Sequence, residues 1–386
     1  MPLSVIDFFS GSGGMSAGFA KRPDDFTIIG AVDKQVAKPG RGKSAGSSTK
    51  CNPTYAANVG VTPKEADLAT LDPVAYRSEI GLAQGDLDVL ISCAPCTGFS
   101  QKNANNHVED DPRNQLVRRT GLYVEELMPK YLVMENVKEL LNGAFRFHFQ
   151  ALRRHLESLG YSVWAEVHDL SEYGLPQRRI RALVIARRDG PIVGPPLAKT
   201  GPVTVRETIA HLPALAAGEA DPQDPQHRSP SMSKQVLDRI RAIPRDGGSW
   251  ADVMNNPGLT DEEKRYLLIP SMFRSRPGSF PDVYGRLWWD RPAITITREC
   301  AHVGNGRYSH PEQDRLLTVR EMSLLQGFPP EYEFVGPLAA RYNQIGDSVP
   351  PMISRQIANH IASIEAGKVD VGEVLARRTP QLELVV

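Results

Sequence analysis

Three short segments of this chain gather residues suited to covalent and acid–base chemistry. Ser92-Cys93-Ala94-Pro95-Cys96-Thr97-Gly98-Phe99-Ser100 follows an apolar run, and Pro95 constrains the backbone just ahead of the Cys96 thiol. Met134-Glu135-Asn136-Val137 closes a second run, and Gln177-Arg178-Arg179-Ile180-Arg181 leads into a third. A thiolate is a nucleophile, a carboxylic acid can hold or deliver a proton, and guanidinium groups supply fixed charge where negative charge develops. A cysteine after an apolar run is more often buried filler, so the weight rests on the other two segments. The C-x-x-C spacing of Cys93 and Cys96 also invites a redox or zinc reading. Both are disfavoured, because Cys51 and Cys300 stand alone without the further ligands that zinc requires.

A fourth segment is suited to holding a ligand. Asp7-Phe8-Phe9-Ser10-Gly11-Ser12-Gly13-Gly14, with Gly18 beyond, follows an apolar run and opens a helical pattern. Glycines there let backbone approach a ligand closely, and a helix start offers unpaired N–H groups. Asp33 ends the next run, where a carboxylate can accept hydrogen bonds from a ribose diol. A nicotinamide dinucleotide site or a purely structural turn would use the same parts. Ala37 to Ser44 resembles a phosphate-binding loop, but Ala37 replaces its first glycine and no helical pattern follows.

These segments need a frame. Ser4–Phe9, Thr27–Asp33, Asp88–Ser92, Tyr131–Glu135 and Arg181–Ala186 read as strands of near-continuous apolar character, alternating with helical segments. That pattern predicts a mostly parallel sheet covered on both faces, with ligands bound beyond its carboxyl edge. From Pro191 to about Pro281 the chain turns Pro-rich and irregular, predicting a smaller, loopier unit. Thr318–Gln326 and Met352–Glu365 read as helices, the latter presenting Ile353, Ile357, Ile361 and Ile364 at helical spacing. Lys34–Lys50 reads as a flexible basic loop. The 386 residues carry 45 basic and 45 acidic side chains, so any anion-binding face must be local. No apolar run reaches the length of a membrane span, and a cytoplasmic protein is the expectation.

In order, DFFSGSGG, APC at Ala94–Cys96, MENV, QRRIR, RPAITIT at Arg291–Thr297, LLTVREMSLLQGFP at Leu316–Pro329 and YNQIGDSVPP at Tyr342–Pro351 match a known series. The chain resembles the DNA (cytosine-5-)-methyltransferases over nearly its whole length. The resemblance implies an α/β, Rossmann-like S-adenosylmethionine-dependent methyltransferase sheet with a smaller, irregular target-recognition domain. It divides the chain into a catalytic and cofactor-binding domain at 1–190, a recognition domain at 191–290, and closing motifs at 291–386 whose last helix returns to the catalytic domain.

By residue-to-residue match, the resemblance makes Cys96 the nucleophile, Glu135 the acid and partner of ring N3, and Arg181, with Arg179, the charge beside the base. Phe9, Gly11, Gly13, Asp33, Asp67 and Leu116 fall where the family holds S-adenosyl-L-methionine, with Asp67 at the adenine amine. Pro95, Ser100, Asn136, Gln177, Arg274 and Arg276 are the expected contacts to DNA. Arg245, Asn255 and Asn256 are further candidates to reach base edges. Metal is not expected. The implied partner is double-stranded DNA, methylated by a cytoplasmic, nucleoid-associated monomer working alone or with a restriction or defence system. A tRNA cytosine methyltransferase and a non-catalytic DNA-binding paralogue are the alternatives. Two departures stand out: Thr97 where the family usually has Gln after the nucleophile, and Asp347 where many members have Asn.

Overall fold

The computed structural model describes residues 1–36, 48–95, 110–195, 199–274, 282–369 and 371. Seven strands form one sheet: β1 (Leu3–Phe8), β2 (Phe26–Asp33), β3 (Lys64–Glu65), β4 (Val89–Ser92), β5 (Tyr131–Val137), β6 (Ser162–Asp169) and β7 (Ile180–Arg187). Their order is β3-β2-β1-β4-β5-β7-β6. All five expected runs are strands, joined by β3 and β6. β1 to β5 run parallel to one another, whereas β7 runs antiparallel to both β5 and β6. Parallel neighbours require crossovers, which the helices Gly14–Ala20, Cys51–Val59, Pro73–Glu79 and Gln115–Leu127 supply. The direction of β7 matters for chemistry. Its first residues lie at the same edge as the last residues of β5.

Alternation sorts the strand side chains onto two faces. Ile6, Phe8, Leu90, Leu132 and Met134 pack against Val117, Tyr123, Leu127, Leu152 and Leu156 of two helices. Val5, Val89, Ile91 and Val133 meet Met15, Phe19 and the isoleucine face of the helix Pro351–Glu365. Ile353, Ile357 and Ile361 are fully enclosed there, as their spacing predicts. Each such side chain contributes roughly 1.5–3 kcal/mol by leaving water. The first helix approaches this one closely because a Cβ on Gly18 would lie 1.8 Å from Ser354 Oγ. Gly18 therefore serves packing rather than a ligand.

The Pro-rich region is more helical than its composition predicts. Among its described residues are five short helices: Val205–Ile209, Lys234–Ala242, Trp250–Met254, Asp261–Leu267 and Pro270–Arg274. Three start with reciprocal side-chain caps, Thr204 with Glu207, Ser249 with Asp252 and Thr260 with Glu263. Ile209, Ile240, Trp250 and Trp289 form a third apolar cluster with Leu316, Met322, Tyr342 and Ile345. Among the described residues, no helix is long and apolar enough to cross a membrane.

Candidate active site

The carboxyl edge of the sheet collects the polar residues. β1 ends at Phe8, and Phe9, Gly11 and Gly13 follow with left-handed φ of 57°, 52° and 91°. Phe9 is strained in that region, whereas the two glycines enter it freely. Asp33, ending β2, braces the turn: its Oδ2 accepts the Gly11 N–H at 2.9 Å and its Oδ1 the Gln35 N–H at 2.7 Å. A carboxylate has about four acceptor sites, so capacity for a diol remains. A Cβ on Gly11 would meet only the Phe9 carbonyl, 4.0 Å away, so open space adjoins the turn.

Asp67 follows β3 along the same edge. Its Oδ1 accepts the Ala69 N–H at 3.0 Å, and its Oδ2 lies 2.6 Å from Lys34 Nζ. Burial works to raise its pKa, but the Lys34 hydrogen bond, the Ala69 amide and the Lys34 charge outweigh it and hold the carboxyl below its usual value. Phe9 and Leu116 are half-buried against one apolar cluster, which also contains Leu68. Open space at the glycine turn, a carboxylate with spare acceptor capacity and flanking apolar side chains suit an adenosyl cofactor.

Beneath the turn lies Asp7, which the sequence shows only as a polar strand end. Its Oδ2 accepts the Ser16 hydroxyl at 2.6 Å, and Ser16 Oγ accepts the Tyr55 hydroxyl at 2.7 Å. Burial, partly offset by the Ser16 hydrogen bond and reinforced by the Asp33 charge, pushes the carboxyl up to about 7.

Glu135 sits near the end of β5 with its side chain 9 % exposed. Its Oε1 is 3.0 Å from Arg181 Nε and 3.9 Å from Arg179 Nε. Antiparallel pairing sets Val137 opposite Arg181, which brings both arginines back to the carboxylate. Next to β5, β4 ends at Ser92 and leads to Ala94 and half-buried Pro95. Cys96 and Ser100 lie outside the described residues, as do Thr97 and Arg276. Burial first, then the Glu135 and Asp7 charges, push the Cys93 thiol far above its ordinary value. A thiol so protonated is a poor nucleophile and a poor redox partner.

A family model described as C-5 cytosine-specific DNA methylase matches residues 3–363. The chain belongs to that family. Type II methylase M.HgiDII of Herpetosiphon aurantiacus is 31% identical over 366 residues, covering 93% of this chain and 94% of its own. Type II methyltransferase M1.HphI of Haemophilus parahaemolyticus is 30% identical, covering 95% and 89%. Among solved structures, the Entamoeba histolytica methyltransferase EhMeth shares the fold at a TM-score of 0.61 and 14% identity, over 95% of this chain and 99% of its own. The sheet described above is thus that of a C5 methyltransferase, and membership implies methyl transfer to cytosine with S-adenosylmethionine as donor.

In this cytosine methylase, two of the residues expected to contact DNA are buried and hydrogen-bonded internally. Gln177 is fully buried: its Nε2 donates to Leu325 O at 3.2 Å and Gln326 Oε1 at 2.7 Å, and its Oε1 accepts Ile296 N–H at 2.9 Å. Asn136 is 1 % exposed, with Nδ2 donating to Ala94 O at 3.0 Å and Oδ1 accepting Val137 N–H at 2.9 Å. Neither amide faces a surface. Asn136 turns inward from β5, and Gln177 from the segment just ahead of β7. Arg179 divides its roles, since Nη1 and Nη2 donate to Ile296 O and Ser348 O, both at 3.1 Å. Arg274 is exposed, as are Arg245, Asn255 and Asn256.

Three supports escaped the sequence reading. Gln326 Nε2 donates to Ser348 O at 2.7 Å, completing a buried bridge from Gln177 to the closing segment. Tyr123 Oη donates to Leu68 O and Leu71 O at 3.1 and 2.8 Å, and Arg119 Nη2 to Leu71 O at 3.0 Å, fixing the turn that carries Asp67. Helical spacing from Leu116 to Arg119 and Tyr123 was the available signal.

Proposed function

We propose that this chain methylates carbon 5 of a cytosine flipped out of double-stranded DNA at a specific sequence, through a covalent adduct with Cys96. The observation that carries this is the Arg181–Glu135 pair, 3.0 Å apart, at the sheet edge where β4 leads into Pro95 and Cys96. Inside a duplex the target carbon is out of reach, so the base leaves the stack at a loss of a few kcal/mol. The Cys96 thiolate adds to ring carbon 6, and the displaced electrons make carbon 5 nucleophilic. Glu135 holds a proton at ring N3, relieving the charge that the addition creates, and Arg181 steadies that carboxyl beside the base carbonyl. Once carbon 5 carries the methyl group, loss of its proton to a base such as water expels Cys96 and restores the ring.

Phe9, Gly11, Gly13, Asp33, Asp67 and Leu116 would hold S-adenosylmethionine, which supplies an electrophilic methyl group when bound. Asp33 offers free lone pairs to the ribose and Asp67 its carboxylate to the adenine amine. We read 1–190 as the catalytic unit, 191–290 as the recognition unit with Arg274 and Arg276 toward DNA, and 291–386 as the closing segment. The enzyme works as a cytoplasmic, nucleoid-associated monomer, the modification arm of a restriction or defence system or a solitary methylase.

Labelled S-adenosylmethionine offered with duplex DNA and with tRNA tests this directly. Label should enter duplex DNA, and bisulfite sequencing should find protected cytosines at one recurrent motif. Label in tRNA alone would overturn the DNA reading, and no transfer to either would favour a non-catalytic protein.

A further inference from the structure

Residues 177–181 run extended into β7, so their side chains alternate in direction. Gln177 and Arg179 turn inward, 0% and 4% exposed, while Arg178 and Ile180 turn to solvent. We propose that Arg178 and Ile180 form a ledge for the DNA strand that carries the target cytosine, Arg178 meeting a backbone phosphate and Ile180 the adjoining deoxyribose. This rests on the reading of duplex DNA as substrate.

The Arg178 backbone is held on both sides. Its N–H donates to Ala293 O at 2.8 Å, and its carbonyl accepts the Thr295 hydroxyl at 2.6 Å. Ala293 is itself tied by its N–H to Pro176 O at 2.9 Å. From this fixed base the Arg178 side chain projects 72% exposed, with Asp169 Oδ2 a loose 3.7 Å from Nε. The other Asp169 oxygen is committed, accepting Ser171 Oγ at 2.8 Å and the Ser171 and Arg179 N–H groups at 3.2 and 3.3 Å. An ion pair this long and exposed contributes little to stability. The guanidinium is thus available to a phosphate.

Ile180 is an exposed large apolar side chain, 37% accessible, on the same side of the run. Its carbonyl accepts Arg181 Nη1 at 2.8 Å, so the ledge is joined directly to the arginine that pairs with Glu135. Three extended residues span about 10 Å, so Arg178 and Arg181 stand within reach of one nucleotide. A cation beside an apolar surface matches a phosphate beside a sugar. Phosphate and deoxyribose carry no base-edge code, so the ledge should act alike on all sequences.

Equilibrium binding of duplex DNA across a salt series, with full-length protein and S-adenosylhomocysteine present, tests the ledge. R178Q should weaken binding to every duplex and make the slope of log K against log salt shallower by about one, the loss of one phosphate contact. R178K should keep the wild-type slope. I180S should raise KM for DNA at unchanged slope, and all three should keep wild-type melting temperature and S-adenosylhomocysteine affinity. R178Q with wild-type affinity and slope would overturn the phosphate contact, and I180S with wild-type KM would overturn the sugar contact. A wild-type enzyme inactive on duplex DNA would instead bring down the reading beneath both.

Discussion

Asn136 Nδ2 donates to the Ala94 carbonyl at 3.0 Å, tying the end of β5 to the backbone two residues ahead of Cys96. The same side chain accepts its neighbour's N–H, so its orientation is fixed from both ends. Asn136→Ala should therefore let the Pro95–Cys96 backbone drift while leaving the cofactor edge intact. Small misplacements of reacting groups lose on the order of 100-fold in rate. We expect kcat to fall by roughly that factor, with S-adenosylhomocysteine affinity unchanged by calorimetry. A variant with wild-type kcat would remove Asn136 from the positioning role.

The Glu135–Arg181 pair separates two effects. Glu135→Gln keeps the shape but cannot exchange a proton with the ring, whereas Arg181→Ala leaves a nearly buried carboxylate with only the more distant Arg179. General acid–base contributions are typically 10²–10⁴-fold, so E135Q should lose about that much kcat. R181A should lose both kcat and thermal stability, because a nearly buried carboxylate that loses its nearer cation is poorly compensated. Single-turnover rates and melting curves on the two variants distinguish these outcomes. A wild-type melting temperature for R181A would contradict the pairing argument.

Arg315 and Glu321 meet in two parallel contacts of 2.7 Å, with side chains 0% and 1% exposed. Burial works to raise the Glu321 pKa, yet the Arg315 hydrogen bonds and charge prevail and hold it below its ordinary value. Glu321 also accepts the Thr318 N–H at 2.7 Å, so one carboxylate both caps a helix and neutralises an arginine. Removing one partner of such a pair destabilises by roughly 3–5 kcal/mol. Glu321→Gln should show this as a lower denaturant midpoint, and a loss under about 1 kcal/mol would contradict the buried-pair reading.

Asp7 provides a pH signature. Its carboxyl is pushed from 3.8 to about 7 by burial, against the Ser16 hydrogen bond and with the Asp33 charge. The native state then keeps a proton that the unfolded chain gives up. Its stabilising contribution is complete below pH 3.8 and is lost as pH rises toward about 7. His310 acts oppositely, since burial lowers it to about 4 and its contribution disappears as pH falls from 6.5 through that value. Asp7→Asn keeps an acceptor for Ser16 and removes the ionisation, so its stability relative to wild type should grow between pH 4 and 7 by an amount of order a few kcal/mol. A difference independent of pH would contradict the buried-acid assignment.

Much of the frame was legible because buried parallel strands are written as continuous apolar runs. β6 was not, since Ser162–Asp169 is an edge strand: Trp164 and Val167 are half-buried and Glu166 is exposed. The helices at 205–267 carried their own signal in Thr204/Glu207, Ser249/Asp252 and Thr260/Glu263, which the Pro-rich composition obscured. At the site, Glu135 and Arg181 were identifiable by type and motif. Their contact depends on β7 reversing direction, which spacing along the chain does not encode. The burial of Gln177 and Asn136 was hidden for the same reason, because the path of the folded backbone decides which side chains face inward.

The proposed mechanism turns on a bond between Cys96 and carbon 6 of the target cytosine. A duplex carrying 5-fluorocytosine at the methylated position, incubated with enzyme and S-adenosylmethionine, tests it most directly, because fluorine cannot leave as a proton does. The expected result is a protein–DNA species that survives denaturation, has the mass of a one-to-one adduct, and is absent from Cys96→Ser. Turnover of unmodified duplex with no trapped species on the fluorinated one would contradict the covalent mechanism.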